Sequence, residues 1–184
     1  MKKLLFMISV IIVLRLMGCS SPMLNVYTFD SAALARVTGL SPNAARGEIF
    51  FTPIPNEGLR IKGQIEGLIP RHSYAVFIYE RGECHDEKSM GAIFDPGRSG
   101  LHGLPGLSPG QHNAGDLPNI TADEDGIAEI DYTTDALGIG HSSFSVIGKS
   151  LVLHAGPADF TTQPTGGSGD IIACGVIRIC ETQK

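Results

Sequence analysis

The sequence predicts an all-β fold, an antiparallel sandwich or barrel of about eight short strands. Three observations carry this. Leu59, Ile61, Gly63 and Ile65 alternate with Arg60, Lys62, Gln64 and Glu66, the period of two expected of a strand with one buried face. The other apolar runs are short, and no stretch keeps a helical period for more than a turn or two. The 184 residues include 23 glycines and 11 prolines, no tryptophan and only 18% charged side chains, a composition suited to many short strands joined by turns.

In chain order, the first eighteen residues lie outside the fold. Lys2 and Lys3 precede an apolar run from Leu4 to Leu14, and Leu16-Met17-Gly18-Cys19 follows. Positive start, short apolar run and small residue at the cut make a signal peptide, and the run is short for a membrane-spanning helix. The cleavage box makes Cys19 the expected lipidation site. Ser20 stands where an aspartate would favour inner-membrane retention, so the expected address is the outer membrane of a Gram-negative cell, facing the periplasm. Residues 19–45 read as a tether and N-terminal segment without clear period; Asn25 to Asp30 is a candidate strand followed by a Ser/Ala-rich connector.

From residue 46 onward the signal is β. Glu48 to Thr52 is an apolar-rich run stopped by Pro53 and Pro55, and Asn56-Glu57-Gly58 is a turn leading into the alternating strand. Tyr74 to Tyr79 is continuously apolar, as for a strand covered on both faces. Residues 85–120 lose all periodicity and are rich in Gly, Pro, His and Asp; loops of this length in a compact domain are functional or disordered. Strands resume at Ile127–Tyr132, Ser143–Ile147, Ser150–His154 and Ile171–Ile179, with a second irregular loop from Ala155 to Asp170. Asp123-Glu124-Asp125-Gly126 reads as a plain turn before the Ile127 strand, and His72 and His141 as solvated turn residues.

Loss of residues 1–18 removes Lys2, Lys3 and Arg15 and no acid. The remaining chain has 11 basic against 19 acidic residues, a net charge of −8. That balance excludes nucleic acid as a partner, which needs a basic footprint, and excludes a polybasic membrane contact. No serine or cysteine stands in a recognisable hydrolase context.

Six short motifs fall in order along the domain. They are Gly67-Leu68-Ile69-Pro70, Glu80-Arg81-Gly82-Glu83-Cys84, Phe94-Asp95-Pro96, Gly115-Asp116-Leu117-Pro118-Asn119, Leu151-Val152-Leu153-His154 and Ala173-Cys174-Gly175-Val176-Ile177. At these spacings the chain resembles the copper/zinc superoxide dismutase family from about residue 47 to 178. The resemblance implies a Greek-key sandwich or barrel for residues 46–184, with two long irregular loops. It also implies a disulfide between Cys84 and Cys174, compatible with an oxidising compartment. Cys180 is then left over, a free thiol or one half of an intermolecular bridge.

The resemblance also implies a copper site of four histidines and a zinc site of three histidines and an aspartate, sharing one histidine. Two copper histidines two apart on a strand share a face. Anchored on Glu80-Arg81-Gly82, those positions hold Phe77 and Tyr79; anchored on Gly67-Leu68-Ile69-Pro70, they hold Val76 and Ile78. Ile93 stands at the shared position, and only His154 matches a copper ligand. One imidazole does not hold copper, which needs several nitrogen or sulfur donors. On the zinc side His102 and Asp116 match, Asn113 stands at the middle histidine, and the neighbouring His112 is its candidate substitute. These three plus water make an acceptable but open zinc count. The arginine position before Ala-Cys-Gly is Ile171, and the bridging aspartate position is Ala158, next to Asp159. The loop from Ala155 to Asp170 has no Lys or Arg to steer a small anion.

The sequence thus predicts an envelope lipoprotein with the dismutase fold, without the dismutase reaction. It would be a binding or structural module with at most weak zinc binding and no copper. Its membrane contact is the lipid anchor, its protein partner is unnamed, and a homodimer is compatible. Two rivals are an active dismutase with an unusual ligand set around His154, and a protein that buffers or hands on metal.

Overall fold

The computed structural model describes residues 32–40, 45–85, 87–108, 110–140 and 142–180. The expected leader at 1–18, Cys19, the candidate strand Asn25–Asp30 and His141 lie outside the described residues.

Among the described residues, nine strands and one short helix follow in the order β1 (Ala32–Gly39), β2 (Arg46–Ile54), β3 (Gly58–Glu66), β4 (Ser73–Tyr74), β5 (Val76–Tyr79), α1 (Glu87–Met90), β6 (Ile120–Thr121), β7 (Ala128–Thr134), β8 (Ser150–His154) and β9 (Ile171–Cys180). Seven strands form one sheet in the order β5-β8-β9-β1-β2-β3-β7, and β4 pairs with β6. These strands pair antiparallel throughout. After β3 the chain crosses to the far edge at β5, returns to the near edge at β7, then crosses back to β8, the long connections of a Greek key. Both edge strands send side chains into the same core: Val76 and Ile78 from β5, Ala128 and Ile130 from β7, together with Ile61, Phe51, Ala35 and Ile177 from the strands between. The sheet therefore curls around one interior.

The period-two segment behaves as expected. Leu59, Ile61 and Ile65 are buried, and Lys62 and Gln64 are exposed. The preceding turn needs left-handed backbone at Asn56 (φ 62°) and Gly58 (φ 102°), conformations that asparagine and glycine adopt most readily. At Gly58 a Cβ would also meet the Thr134 carbonyl at 2.2 Å.

Four expectations are corrected. The Ser/Ala-rich connector is strand β1, in the middle of the sheet between β2 and β9, so the folded unit starts before residue 46. Ala33, Ala35 and Val37 are its inward residues; two of the three are alanines, too small to give a strong period. Tyr74 to Tyr79 is two strands, because Tyr74 pairs with Ile120 and Val76 with Leu153. Ser143–Ile147 is not a strand. Its backbone makes turns, with Ser145 N donating to Ser142 O and Lys149 N to Val146 O, and a single isolated bridge to Gly138; Val146 alone is buried there. The 85–120 region contains α1 and ends in β6.

The expected disulfide is present: Cys84 and Cys174 are joined, 90 residues apart. Closing a loop of this length contributes on the order of 4 kcal/mol through the unfolded state. Cys180 is not the free thiol that the count of cysteines suggests, since no described cysteine is free.

Candidate functional site

Strand β5 has two buried faces with different tasks. Val76 and Ile78 point into the main core. Phe77 and Tyr79 point the other way, into a second cluster with Ala75, Met90, Ile93, Val152, Ala158 and Cys174. This decides between the two registers left open by the sequence: the face that meets His154 is that of Phe77 and Tyr79. The Phe77 ring lies 5.1 Å from the His154 ring and 5.6 Å from the His102 ring, edge-on to both. Tyr79 stacks on His154 at 6.1 Å and bridges Ile93 through the backbone.

His154 is buried, and its ring is held from both sides. Nδ1 lies 2.8 Å from the Gly169 carbonyl, so Nδ1–H donates there, and Ser168 Oγ is 3.0 Å away. Nε2 then accepts the Tyr79 hydroxyl at 3.1 Å. The nitrogen left by the Gly169 bond is thus occupied by a phenol, in a hollow lined by Phe77, Ile93, Met90 and Val152.

Two irregular stretches, one from His102 to Asp116 and one from Phe160 to Gly166, hold the other half of the site. Asp116 is almost completely buried. It accepts the backbone N–H groups of Gly103 (3.1 Å) and Asn113 (3.0 Å), and its Oδ1 lies 2.8 Å from His102 Nδ1. Burial pushes the Asp116 carboxyl above its ordinary range, and the bonds from His102, Gly103 and Asn113 offset part of that rise. His102 is pinned a second time through its backbone: its N–H donates to Gln163 Oε1 at 2.7 Å and its carbonyl accepts Gln163 Nε2 at 2.8 Å. Its Nε2 is buried without a hydrogen-bond partner. Gly166 lies against that nitrogen, so closely that a Cβ there would sit 2.7 Å from it. Phe160 stacks on the same ring with a left-handed φ of 58°, a conformation that costs a bulky residue about 1–3 kcal/mol.

The candidate ligands are therefore only partly brought together. His102 and Asp116 meet, but they bond to each other. His112 turns to the backbone, with Nδ1 2.7 Å from Asn113 O and Nε2 3.2 Å from Leu107 O. Among the described residues no group of three or more His, Cys, Asp or Glu side chains is arranged for a metal ion. Gly166 stands against the unpartnered His102 Nε2. The residues present do not fit copper, and they do not fit a four-coordinate zinc ion. Asp159 does not replace the missing bridge: its carboxylate accepts Thr161 N, Thr162 N and the Thr162 hydroxyl within its own turn. Ile171 packs on the Phe77 cluster.

Several residues of this region gave no signal in the sequence. Asn119, which the sequence offers only as the last residue of the motif that begins at Gly115, clamps the Ala155–Asp170 loop by bonding both the carbonyl and the N–H of Ala158 (2.9 and 3.0 Å). Gln163, Ser168 and Met90 fall in none of the six motifs.

The copper/zinc superoxide dismutase (SODC) family model matches residues 45–177. Superoxide dismutase (Cu-Zn) 2 of Aquifex aeolicus (strain VF5) is 41% identical over 130 residues, covering 67% of this chain and 74% of the relative. Superoxide dismutase-like protein YojM of Bacillus subtilis (strain 168) is 33% identical over 139 residues, covering 72% and 69%. Among solved structures, a SOD-like protein from Bacillus subtilis superposes with a TM-score of 0.68 at 30% identity, over 77% of this chain and 95% of that one. The clock protein EA4 does so with 0.71 at 30% identity, over 85% and 99%.

Proposed function

This chain belongs to the copper/zinc superoxide dismutase family, and we propose that it serves as a binding or structural module of the cell envelope that has given up copper-dependent dismutation. The observation that carries this reading is the filling of the copper side: Phe77, Tyr79 and Ile93 occupy three ligand positions inside one packed cluster. Phe77 and Ile93 offer a metal no lone pair, the Tyr79 hydroxyl is engaged with His154 Nε2, and a packed cluster resists rearrangement to make room for an ion. Zinc enters this reading only as a weak guest, because binding it would require breaking the His102–Asp116 bond. The leader and Cys19 supply the envelope part of the reading: export, cleavage before Cys19, and a lipid anchor in the outer membrane, which requires that the Cys180 sulfur, not free here, bridge to a second chain and not to Cys19.

Two measurements test it. Protein exported to a periplasm supplied with copper and zinc is assayed for metal by mass spectrometry and for superoxide consumption. The expected result is substoichiometric copper and a rate at the uncatalysed background. Stoichiometric copper with turnover near that of a competent family member would overturn the reading in favour of an active dismutase, the reading suggested by relatives named as dismutases. The second is the mass of the mature N-terminal peptide, expected to carry acyl chains on Cys19.

A further inference from the structure

Residues 96–115 contain no Asp or Glu, in a chain with 19 of them, and one cation, Arg98. Within this stretch Leu101, Leu104 and Leu107 are 46%, 50% and 43% exposed. Between the first two, His102 is buried. The exposure is thus imposed from beneath: the residues that match the family's zinc side pull the backbone inward and leave the leucines outside. His102 is tied to Asp116 and Gln163, Gly103 N to Asp116, and His112 Nε2 to the carbonyl of Leu107 itself. The tip turns through Gly100 and Gly106 at φ 64° and 87°, with nothing within 4 Å of where a Cβ would stand at either. An apolar, acid-free tip held in place before any contact loses little entropy when it binds, and a cluster of exposed leucines marks a contact site more often than chance.

We propose that this loop is a peripheral contact with a lipid bilayer, the leucines entering the interface and Arg98 facing the headgroups; the proposal rests on the reading of Cys19 as the lipidated residue. The anchor brings a bilayer within reach. The thirteen residues from Cys19 to Ser31 span up to about 45 Å when extended, whereas β9, the longest strand, is roughly 33 Å long. The tether therefore reaches past the sheet even though β1 begins at the opposite end, where Ala32 pairs with Cys180. Among the described residues no helix is long and apolar enough to cross a membrane, which suits an interfacial contact. The absence of acid matters because the chain beyond residue 18 otherwise carries 19 acidic against 10 basic residues, an excess that an anionic leaflet repels.

The chain has no tryptophan, so Leu104→Trp supplies a single fluorophore at the loop and Phe144→Trp one at the end where β1 begins. Each full-length variant is placed in phosphatidylethanolamine/phosphatidylglycerol vesicles carrying brominated acyl chains. The expected result is a blue shift and loss of Leu104→Trp emission, with Phe144→Trp unchanged and the loss abolished by adding Leu101→Asp and Leu107→Asp. Quenching of Phe144→Trp instead would show that the opposite end faces the bilayer and would overturn the proposal. Quenching of neither would do the same, returning the loop to solvent or a protein partner. The mass of the N-terminal peptide separates the two readings: acylated Cys19 without quenching sinks the loop contact alone, and quenching of an unacylated chain sinks the anchor alone.

Discussion

The residues at the positions that the resemblance assigns to copper and to zinc are engaged in different ways. On the copper side the polar ligand positions hold hydrocarbon and a phenol: Phe77, Ile93 and Tyr79, packed with Met90 and Val152 around one surviving imidazole. On the zinc side the polar residues stay, and their capacity is taken up by each other and by backbone: His102 with Asp116, Asp116 with Gly103 and Asn113, His112 with two carbonyls. The first half now contributes as ordinary core. The second contributes as a set of struts under a loop. The difference teaches that keeping a ligand's identity does not keep its availability, since a buried histidine bonded to a buried aspartate is a structural pair until something better displaces it.

Cutting into the packed side should have the largest effect. Phe77→Ala is expected to cost about 3–5 kcal/mol in denaturant unfolding; a cost below ~1 kcal/mol would mean the copper side is loose and the contrast between the halves is overstated. On the strutted side His102→Ala is expected to cost roughly 3 kcal/mol, because it strands a buried carboxylate. The pH profile sharpens this. Asp116 is raised above its ordinary value by burial, so the native chain holds a proton that the unfolded chain has released. The stability tied to this group therefore falls as pH climbs from about 4 through the raised value. Without His102 that fall should extend to higher pH, and an unchanged profile would remove Asp116 from the strut network.

A smaller loss, about 1–2 kcal/mol, is expected for Tyr79→Phe, which leaves His154 Nε2 without its donor; a neutral result would make the phenol mere filling. The solvent face of the sheet gives the baseline. Asp131 pairs with Arg60 and Lys62, which hold its carboxyl well below the usual range. Its contribution is present above the ordinary carboxylate pKa and lost as pH falls below it. Asp131→Asn should lower the melting temperature by no more than roughly 3 °C, and less in high salt.

The sequence made the fold legible where residues alternate strongly, as at Leu59 to Ile65, and where motifs are spaced along one domain. It hid β1, whose inward residues are mostly alanine, and it promoted Ser143–Ile147, whose backbone makes turns. For the site, the resemblance left two registers open on one strand, and burial settled which of them faces His154. What the sequence did not carry was partnership. That His112 faces carbonyls while His102 faces Asp116 depends on rotamers and loop paths that no residue type states, and Asn119 and Gln163 act through backbone groups that every residue shares.

The placement of β1 has a consequence in time. Its neighbours are β2, a few residues on, and β9, whose Cys180 pairs with Ala32 across almost the whole described chain. The β2–β3 hairpin can form as soon as it is made, but the sheet cannot close until the last strand has emerged. A chain synthesised or threaded with its N-terminus first therefore stays open along two strand edges for most of its passage. Such edges invite wrong pairing, and closure governed by contacts this distant in sequence is slow.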